Sequence, residues 1–310
     1  MNAIFSITSP IFLLILIGYL AVRFEIIPKD SLFGLSRFVL YLALPALVFT
    51  KLSQMEVSKL AQVDFLVVYG IGSFLTLLVG LTVGLFLFKE SLTLAGIKAL
   101  GVSMPNSVFI GYPLLLQAFA TPPTEAFAMA VLVENIILMP TALIILEFAI
   151  ASKNTGGTLS FAPLIKRIFT NPIILSVISG IVASLLELKL PSTFAKSFDI
   201  LAGGSAAVAL IVIGGSLVGT TIKGDKRSIA FIAFGKLIIH PLMIIGLLQF
   251  FPDMSSDLAK AAIIIAATPM LSIFPIIGGI YGQSRLCASA LMITTCLAFI
   301  SLSSLLWFLQ

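Results

Sequence analysis

The sequence predicts an all-α protein that crosses a membrane many times. Of its 310 residues, 59% are hydrophobic and only 10% are charged, and the mean hydropathy is +1.19. A typical soluble domain carries about 25% charged residues, so a soluble protein this apolar would lack the polar surface needed to cover its core. Long apolar stretches also recur along the whole chain, separated by short polar connections. Together these observations favour a polytopic membrane protein.

Ten apolar stretches are predicted to form transmembrane helices. A spanning helix needs about 20 apolar residues, and the stretches approach or exceed that length, although the first is short. The ten predicted spans are Ser9–Arg23, Leu35–Lys51, Phe65–Phe88, Gly96–Phe119, Thr124–Ala151, Asn171–Leu188, Phe198–Thr220, Ile229–Phe251, Leu258–Tyr281 and Arg285–Leu309.

The longest connection, Ser152–Thr170, lies at the middle of the chain. It contains a Thr- and Gly-rich stretch around residues 154–158, which is typical of a flexible linker. We therefore predict a first five-helix repeat at residues 1–151, a cytoplasmic linker at 152–170 and a second five-helix repeat at 171–310.

Basic residues predict the orientation of the spans. The connections after odd-numbered spans, with their flanks, hold 13 lysines and arginines, whereas those after even-numbered spans hold 5. Because loops rich in lysine and arginine stay in the cytoplasm, both termini should lie outside the cytoplasm. The membrane is predicted to be the cell (inner) membrane. Each half has an odd number of spans, so the two halves should have inverted topology.

Two corresponding spans, the fourth and the ninth, each carry a pair of prolines near the middle. The pairs are Pro105 with Pro113, and Pro269 with Pro275. Proline removes a backbone donor and clashes with the preceding turn of a helix. In hydrocarbon, a broken helix is tolerated only where its free backbone groups face protein or water. Interrupted spans at matching positions of two halves indicate a transporter with a binding site near the membrane midplane.

Polar side chains beside these prolines are the candidate substrate-binding residues. Asn106 is the first candidate, because a mid-membrane amide must satisfy both its donors and its acceptor. Ser103, Ser107 and Ser272 are further candidates. The alternative for all four is a structural hydrogen bond at a helix contact or to freed backbone groups.

Four further polar residues are candidates for charge or proton coupling. Glu134 and Asn135 lie near the middle of the fifth span, where a carboxylate marks a functional site or a paired partner. Lys236 and His240 are four residues apart and share one face of the eighth span. They could attract an anion or pair with Glu134. Alternatively, Lys236 extends to the cytoplasmic headgroups and His240 is a packing residue.

Several classes of function are disfavoured by the sequence. The two cysteines, Cys287 and Cys296, are nine positions apart in one apolar stretch, and the chain has a single histidine, so we expect no metal site and no cofactor. The net charge of +5 comes mostly from loops and sets orientation, so we expect no nucleic-acid partner. The chain has no G-x-x-x-x-G-K-[ST] or H-E-x-x-H motif, so we expect neither an ATPase nor an enzyme.

Five stretches of the chain carry motifs of a known family. They are Pro10–Tyr19, Leu35–Phe49, Asn106–Leu114, Ala267–Pro269 with Tyr281-Gly282, and Asn171-Pro172 with Gly180 and Pro191. Together they resemble the auxin efflux carrier family, including bacterial members described as malate or malonate permeases. The third stretch is similar to the family's asparagine–glycine–proline signature in the fourth helix.

The resemblance implies ten helices in two inverted five-helix repeats, with the fourth and ninth helices crossing at their broken points. It also implies a scaffold domain, a transport domain that moves like an elevator, carboxylate substrates and a homodimer formed through the scaffold. One departure concerns the ninth helix, where family members often carry an asparagine shortly after the proline. Here Ser272 is the only polar side chain in that stretch, so we expect greater use of backbone amides or a smaller substrate.

Three alternatives to a carrier of small organic anions stay open from the sequence. The first is a sodium-coupled organic-anion symporter of the bile-acid type, which shares the ten helices and the crossing. The second is an intramembrane enzyme and the third is a membrane scaffold or sensor. Within the carrier hypothesis, coupling to protons or to sodium is also open.

Overall fold

The computed structural model describes residues 2–55, 62–151, 170–188, 190–219 and 225–309. The linker predicted at 152–170 lies outside the described residues except for Thr170, so its placement stays a prediction. Within these ranges the chain is helical, and its extended residues form only an isolated β-bridge.

The described residues form twelve helices. They are α1 (Asn2–Arg23), α2 (Ser31–Ser53), α3 (Val63–Leu87), α4 (Leu92–Ser103), α5 (Ser107–Ala118), α6 (Thr124–Ile150), α7 (Pro172–Leu185), α8 (Ser192–Ser216), α9 (Lys226–Leu248), α10 (Ser256–Ala266), α11 (Phe274–Ile280) and α12 (Ser284–Leu309). Six of them, α2, α3, α6, α8, α9 and α12, are long and apolar enough to cross a membrane, and α1, α4, α5 and α7 are shorter apolar helices. A multi-pass α-helical protein is therefore supported, and the ten-helix inverted repeat stays a prediction.

Prolines widen several of these helices into π turns. A proline inside a helix lacks an N–H and its ring clashes with the carbonyl four residues earlier, and one extra residue in the turn relieves both problems. The π turns that end two residues before a proline are Val39–Ala43, Ser107–Gly111, Glu134–Leu138 and Gly235–Ile239. The last three contain polar residues that the sequence analysis selected, so the prolines also determine where those side chains lie.

The two proline-paired spans are interrupted, and their interruptions meet. Helix α4 ends at Ser103 before α5 begins, and α10 ends at Ala266 before α11 begins. Between these ends, Asn106 N donates to Pro269 O at 2.7 Å and Leu271 N donates to Met104 O at 3.2 Å. The two extended segments therefore pair as an antiparallel bridge, which satisfies backbone groups that the broken helices cannot satisfy themselves.

The helices pack into two groups around this crossing. In the first helix group, α1 packs on α8, and α2 packs on α7 and α8. In the second helix group, α3 packs on α4, α6 and α9, while α12 packs on α9 and α11. The two groups touch where α1 and α8 meet α5, where α1 meets α12, and where α2 and α7 meet α6. Both interrupted spans belong to the second group.

Two glycines allow the backbones of α1 and α8 to cross in direct contact. A Cβ atom on Gly214 would collide with the backbone carbonyl of Ile15, and one on Gly18 would collide with that of Ile211. We expect Gly214→Ala to destabilise the protein by about 1–3 kcal/mol, because a backbone atom cannot move aside as a side chain can. Thermal unfolding in detergent measures this loss. Gly246→Ala is the control, because a Cβ there meets nothing within 4 Å; equal unfolding temperatures for the two variants would contradict the expectation.

Candidate functional site

A cavity of about 300 Å³ lies at the crossing, between the two helix groups. The second group contributes the bridge segments and the π turn of α6, including Asn106, Glu134 and Ser272. The first group contributes Tyr41 from α2 and Asn171 from the start of α7. Its volume is at the lower end of the range for small-molecule sites, so it suits a small ligand.

Asn106 connects the two interrupted spans and is only 3% exposed. Its side-chain Nδ2 donates to Ser272 Oγ at 2.8 Å, across the crossing. Its Oδ1 accepts from Phe109 N at 3.2 Å, so the same side chain is the N-cap of α5. Asn106 therefore bonds across the crossing and lines the cavity, so its position is compatible with both roles that the sequence left as alternatives.

Glu134 lies beside the start of α5 and is held by two hydroxyl groups. Ser107 Oγ and Tyr69 Oη both donate to its Oε1, the latter at 2.7 Å. The Glu134 side chain is 4% exposed and lines the cavity. A buried carboxylate is costly unless it is hydrogen-bonded, and here the two donors and the nearby N-terminus of α5 supply that stabilisation.

Asn135, which also lines the cavity, links the two helix groups through a hydrogen bond with Asn171. Its Nδ2 donates to Val131 O at 2.9 Å, and its Oδ1 accepts from Asn171 Nδ2 at 3.1 Å. Asn171 Oδ1 in turn accepts from the N–H groups of Ile173 and Ile174, which makes it the N-cap of α7. Two helices, α5 and α7, therefore begin at the cavity, each with an asparagine cap.

Lys236 and His240 form a second polar cluster, which does not line the cavity at the crossing. Both side chains are fully buried, so the headgroup position considered for Lys236 is wrong. Lys236 Nζ lies 2.8 Å from His240 Nδ1 and 2.5 Å from Ala266 O, and His240 Nε2 lies 2.8 Å from Ser73 Oγ. Glu134 and Lys236, both described, form no ion pair with each other.

The family model for membrane transport proteins matches residues 3–306 of the chain. The chain belongs to this family of membrane transport proteins. The match covers nearly the whole sequence and confirms the resemblance to the auxin efflux carriers that the five motif stretches indicated.

Three relatives of this membrane transport protein show how far the similarity extends. A protein of Rhizobium meliloti (strain 1021) described as "Putative malonate transporter" is 27% identical over 311 residues, covering 100% of this chain and 97% of the relative. The "Uncharacterized transporter YfdV" of Escherichia coli (strain K12) is 23% identical, covering 89% of this chain and 86% of the relative. The "Lysosomal cholesterol signaling protein" of Mus musculus is 28% identical over 76% of this chain, but only 28% of that protein is covered.

The structure brings six of the twelve predicted site residues of this membrane transport protein to the cavity. Asn106, Ser107 and Ser272 line the cavity, as does Pro105. Ser103 does not line it, because its Oγ donates to Ala99 O at 2.7 Å within its own helix and the side chain has no exposure. The other helix-breaking prolines act through the backbone. Pro113 follows the π turn of α5, Pro275 lies in the first turn of α11, and Pro269 O accepts from Asn106 N.

Residues at or beside the site that the sequence analysis did not select include Tyr41, Asn171, Tyr69 and Ser73. Asn171 lines the cavity, and its position before Pro172 is the N-cap signal that could have drawn attention to it. Tyr69 and Ser73, which bond to Glu134 and His240, lie four residues apart on α3. Their spacing places both on one face of a mainly apolar helix, and that pattern was the available signal.

No group of three or more histidine, cysteine, aspartate or glutamate side chains that could hold a metal ion is found where the structure describes the chain. Cys287 is buried and Cys296 exposed, and both are free thiols. The polar groups available to a ligand at the crossing are therefore amides, hydroxyls, one carboxyl group and backbone N–H groups.

Proposed function

We propose that this membrane transport protein is a secondary transporter of small organic anions, with carboxylates such as malonate and malate as substrates. The observation that carries the proposal is the cavity at the crossing of two interrupted helices, between two packed helix groups. Secondary transporters with discontinuous helices bind substrate at such a point. The relative from Rhizobium meliloti, which is named as a malonate transporter, supports the choice of substrate class.

The chemistry of the cavity supports a carboxylate ligand. Helices α5 and α7 both begin there, capped by Asn106 and Asn171. Helix N-termini carry partial positive charge and favour anions. The amide of Asn106 and the hydroxyl of Ser272 add donors on the side of the second helix group. Binding would therefore rest on neutral donors and helix ends, which suits a small acid that must also be released.

The division into two helix groups supports elevator-like alternating access. The first helix group would be the scaffold, in contact with a second copy in a homodimer. The second group, which contains both interrupted spans, would carry the substrate across. In this proposal the two halves of the chain are inverted repeats, the protein lies in the cell (inner) membrane, and both termini lie outside the cytoplasm.

A sensing role is the second candidate function, and the name of the mouse relative favours it. That protein is covered over only 28% of its length, so the shared part is one portion of a larger molecule. A sensor would bind a ligand at the crossing without moving it between compartments. Transport and sensing therefore differ in flux, and flux is the quantity to measure.

The test is uptake of radiolabelled malonate and malate into proteoliposomes under imposed proton or sodium gradients. We expect saturable uptake that protein-free liposomes lack. Ser272→Ala should lower uptake roughly two- to tenfold, the effect of one lost hydrogen bond. Ser103→Ala is the matched control and should stay within about twofold of wild type, because that hydroxyl bonds inside its own helix. Binding of the acids in detergent without flux under any gradient would overturn the transport proposal and favour a sensor.

A further inference from the structure

Lys236 is a fully buried lysine that the proposed substrate site does not use. It lies on the π turn of α9, has no exposed surface and does not line the cavity at the crossing. As an ammonium, Lys236 has three donors and no acceptor, so in that state His240 Nδ1 accepts from it. The ring proton then lies on Nε2, which donates to Ser73 Oγ. His240 is therefore a neutral ligand of the ammonium.

The third contact of the cluster is with the end of an interrupted helix. Lys236 Nζ donates to Ala266 O at 2.5 Å, and Ala266 is the last residue of α10. The final carbonyls of a helix have no partner within it and carry the negative end of its dipole. Neighbouring carbonyls are already satisfied locally, because Ile263 O accepts from Ala267 N and Ile265 O accepts from Thr268. The Lys236 ammonium thus completes the end of α10.

Metal cations occupy the same kind of position in many ion-coupled transporters. There, carbonyl groups at the C-terminal ends of broken helices, together with unwound backbone, bind the coupling sodium ion. We propose that Lys236 is a built-in cation at this position, so that the crossing is complete without a bound sodium ion. This inference rests on the proposed function, and it makes Lys236 a positioning residue that never touches the substrate.

The cluster is connected to the cavity through α3. Ser73, which accepts from His240, is four residues from Tyr69, which donates to Glu134. The Tyr69 and His240 rings lie 6.4 Å apart. The lysine charge, the end of α10 and the carboxyl group at the cavity therefore belong to one buried polar layer across α3. Because Lys236 is part of α9, its charge would stay with the second helix group whichever way that group moves across the membrane.

Thermal unfolding of the purified protein in detergent tests the inference without any substrate. The salts are choline, sodium and lithium chloride at equal ionic strength. Wild type should unfold at the same temperature in all three. Lys236→Ser, which removes the ammonium and leaves room beside Ala266 O, should unfold at a lower temperature in choline. It should regain roughly 3 °C or more in sodium or lithium, since a cation that binds only the folded state stabilises it.

The control is Gly214→Ala, which should destabilise the protein through a clash with the backbone carbonyl of Ile15 and removes no charge. This variant should be destabilised equally in all three salts. Lys236→Asn, whose side-chain carbonyl oxygen can also bind a cation, replaces the serine variant if that protein cannot be purified. A mere packing role for Lys236 predicts no cation-specific recovery in either variant.

Two results would overturn the inference. One is a wild-type protein that sodium stabilises relative to choline, and the other is a Lys236 variant that responds equally to all three salts. In proteoliposomes, wild-type uptake should be the same in sodium and choline media; uptake that requires sodium would leave the transport proposal standing while rejecting the role of Lys236. If the wild type moves no acid at all, the transport proposal fails, and the unfolding data still decide the inference.

Discussion

Asn106→Ala is expected to reduce saturable acid uptake by at least about tenfold. The substitution removes the bond to Ser272 across the crossing and leaves the Phe109 N–H without its acceptor. An unsatisfied buried donor costs about 1–3 kcal/mol, and each 1.4 kcal/mol is about a factor of ten. Because the amide also lines the cavity, substrate affinity should fall as well. Initial uptake rates over a range of malonate concentrations measure both effects.

Asn106→Asp separates binding from the structural role of the same residue. Aspartate is as good an N-cap as asparagine, so Phe109 N would keep its acceptor and α5 its start. The side chain would lose its NH₂ donor and bring a negative charge into a cavity proposed to hold an anion. Because it keeps the cap, we expect this variant to unfold at a higher temperature than Asn106→Ala and yet fail to take up the acids. Uptake at the wild-type rate would show that Asn106 is only a cap.

The sequence was most informative about the interruptions. Four prolines at matching positions of two spans predicted broken helices, because the loss of a donor and the clash with the preceding turn are local effects. In the structure, the helices end at Ser103 and at Ala266, as that argument requires. The π turns were not foreseen, although most of them end two residues before a proline. Whether a proline kinks, breaks or widens a helix depends on what packs against it.

The sequence was less informative about which polar side chains meet. The spacing of Lys236 and His240 correctly placed them on one face of the helix. The sequence of an apolar helix does not show, however, whether that face contacts lipid or the protein interior. Ser103 lies one turn from the break, yet its hydroxyl bonds within its own helix. The contact between Asn135 and Asn171 joins helices from different halves of the chain. Such contacts depend on how helices cross, and hydrophobic periodicity carries no information about that.

Glu134→Gln is expected to abolish the accumulation of acid that an inward proton gradient drives. Glutamine keeps the shape of the side chain and an oxygen that can accept from Ser107 and Tyr69, but it cannot exchange a proton. In the wild type, a carboxylate substrate would enter a cavity that already holds the carboxyl group of Glu134. Two negative charges there repel each other strongly at low dielectric, so binding of the acid would be accompanied by binding of a proton.

The measurements are gradient-driven uptake and substrate exchange with equal concentrations on both sides. Glu134→Gln should lose uptake against a concentration gradient but retain exchange, because exchange needs the cavity and not the proton. Glu147→Gln is the matched control: Glu147 lies on the same helix and also accepts from a tyrosine hydroxyl, that of Tyr281 at 2.7 Å, but it does not line the cavity. The control should accumulate acid like the wild type. If Glu134→Gln does so too, the proton is carried elsewhere or the flux is not proton-coupled. Loss of both accumulation and exchange would instead indicate that Glu134 holds the start of α5 in place through Ser107, a structural role at the crossing itself.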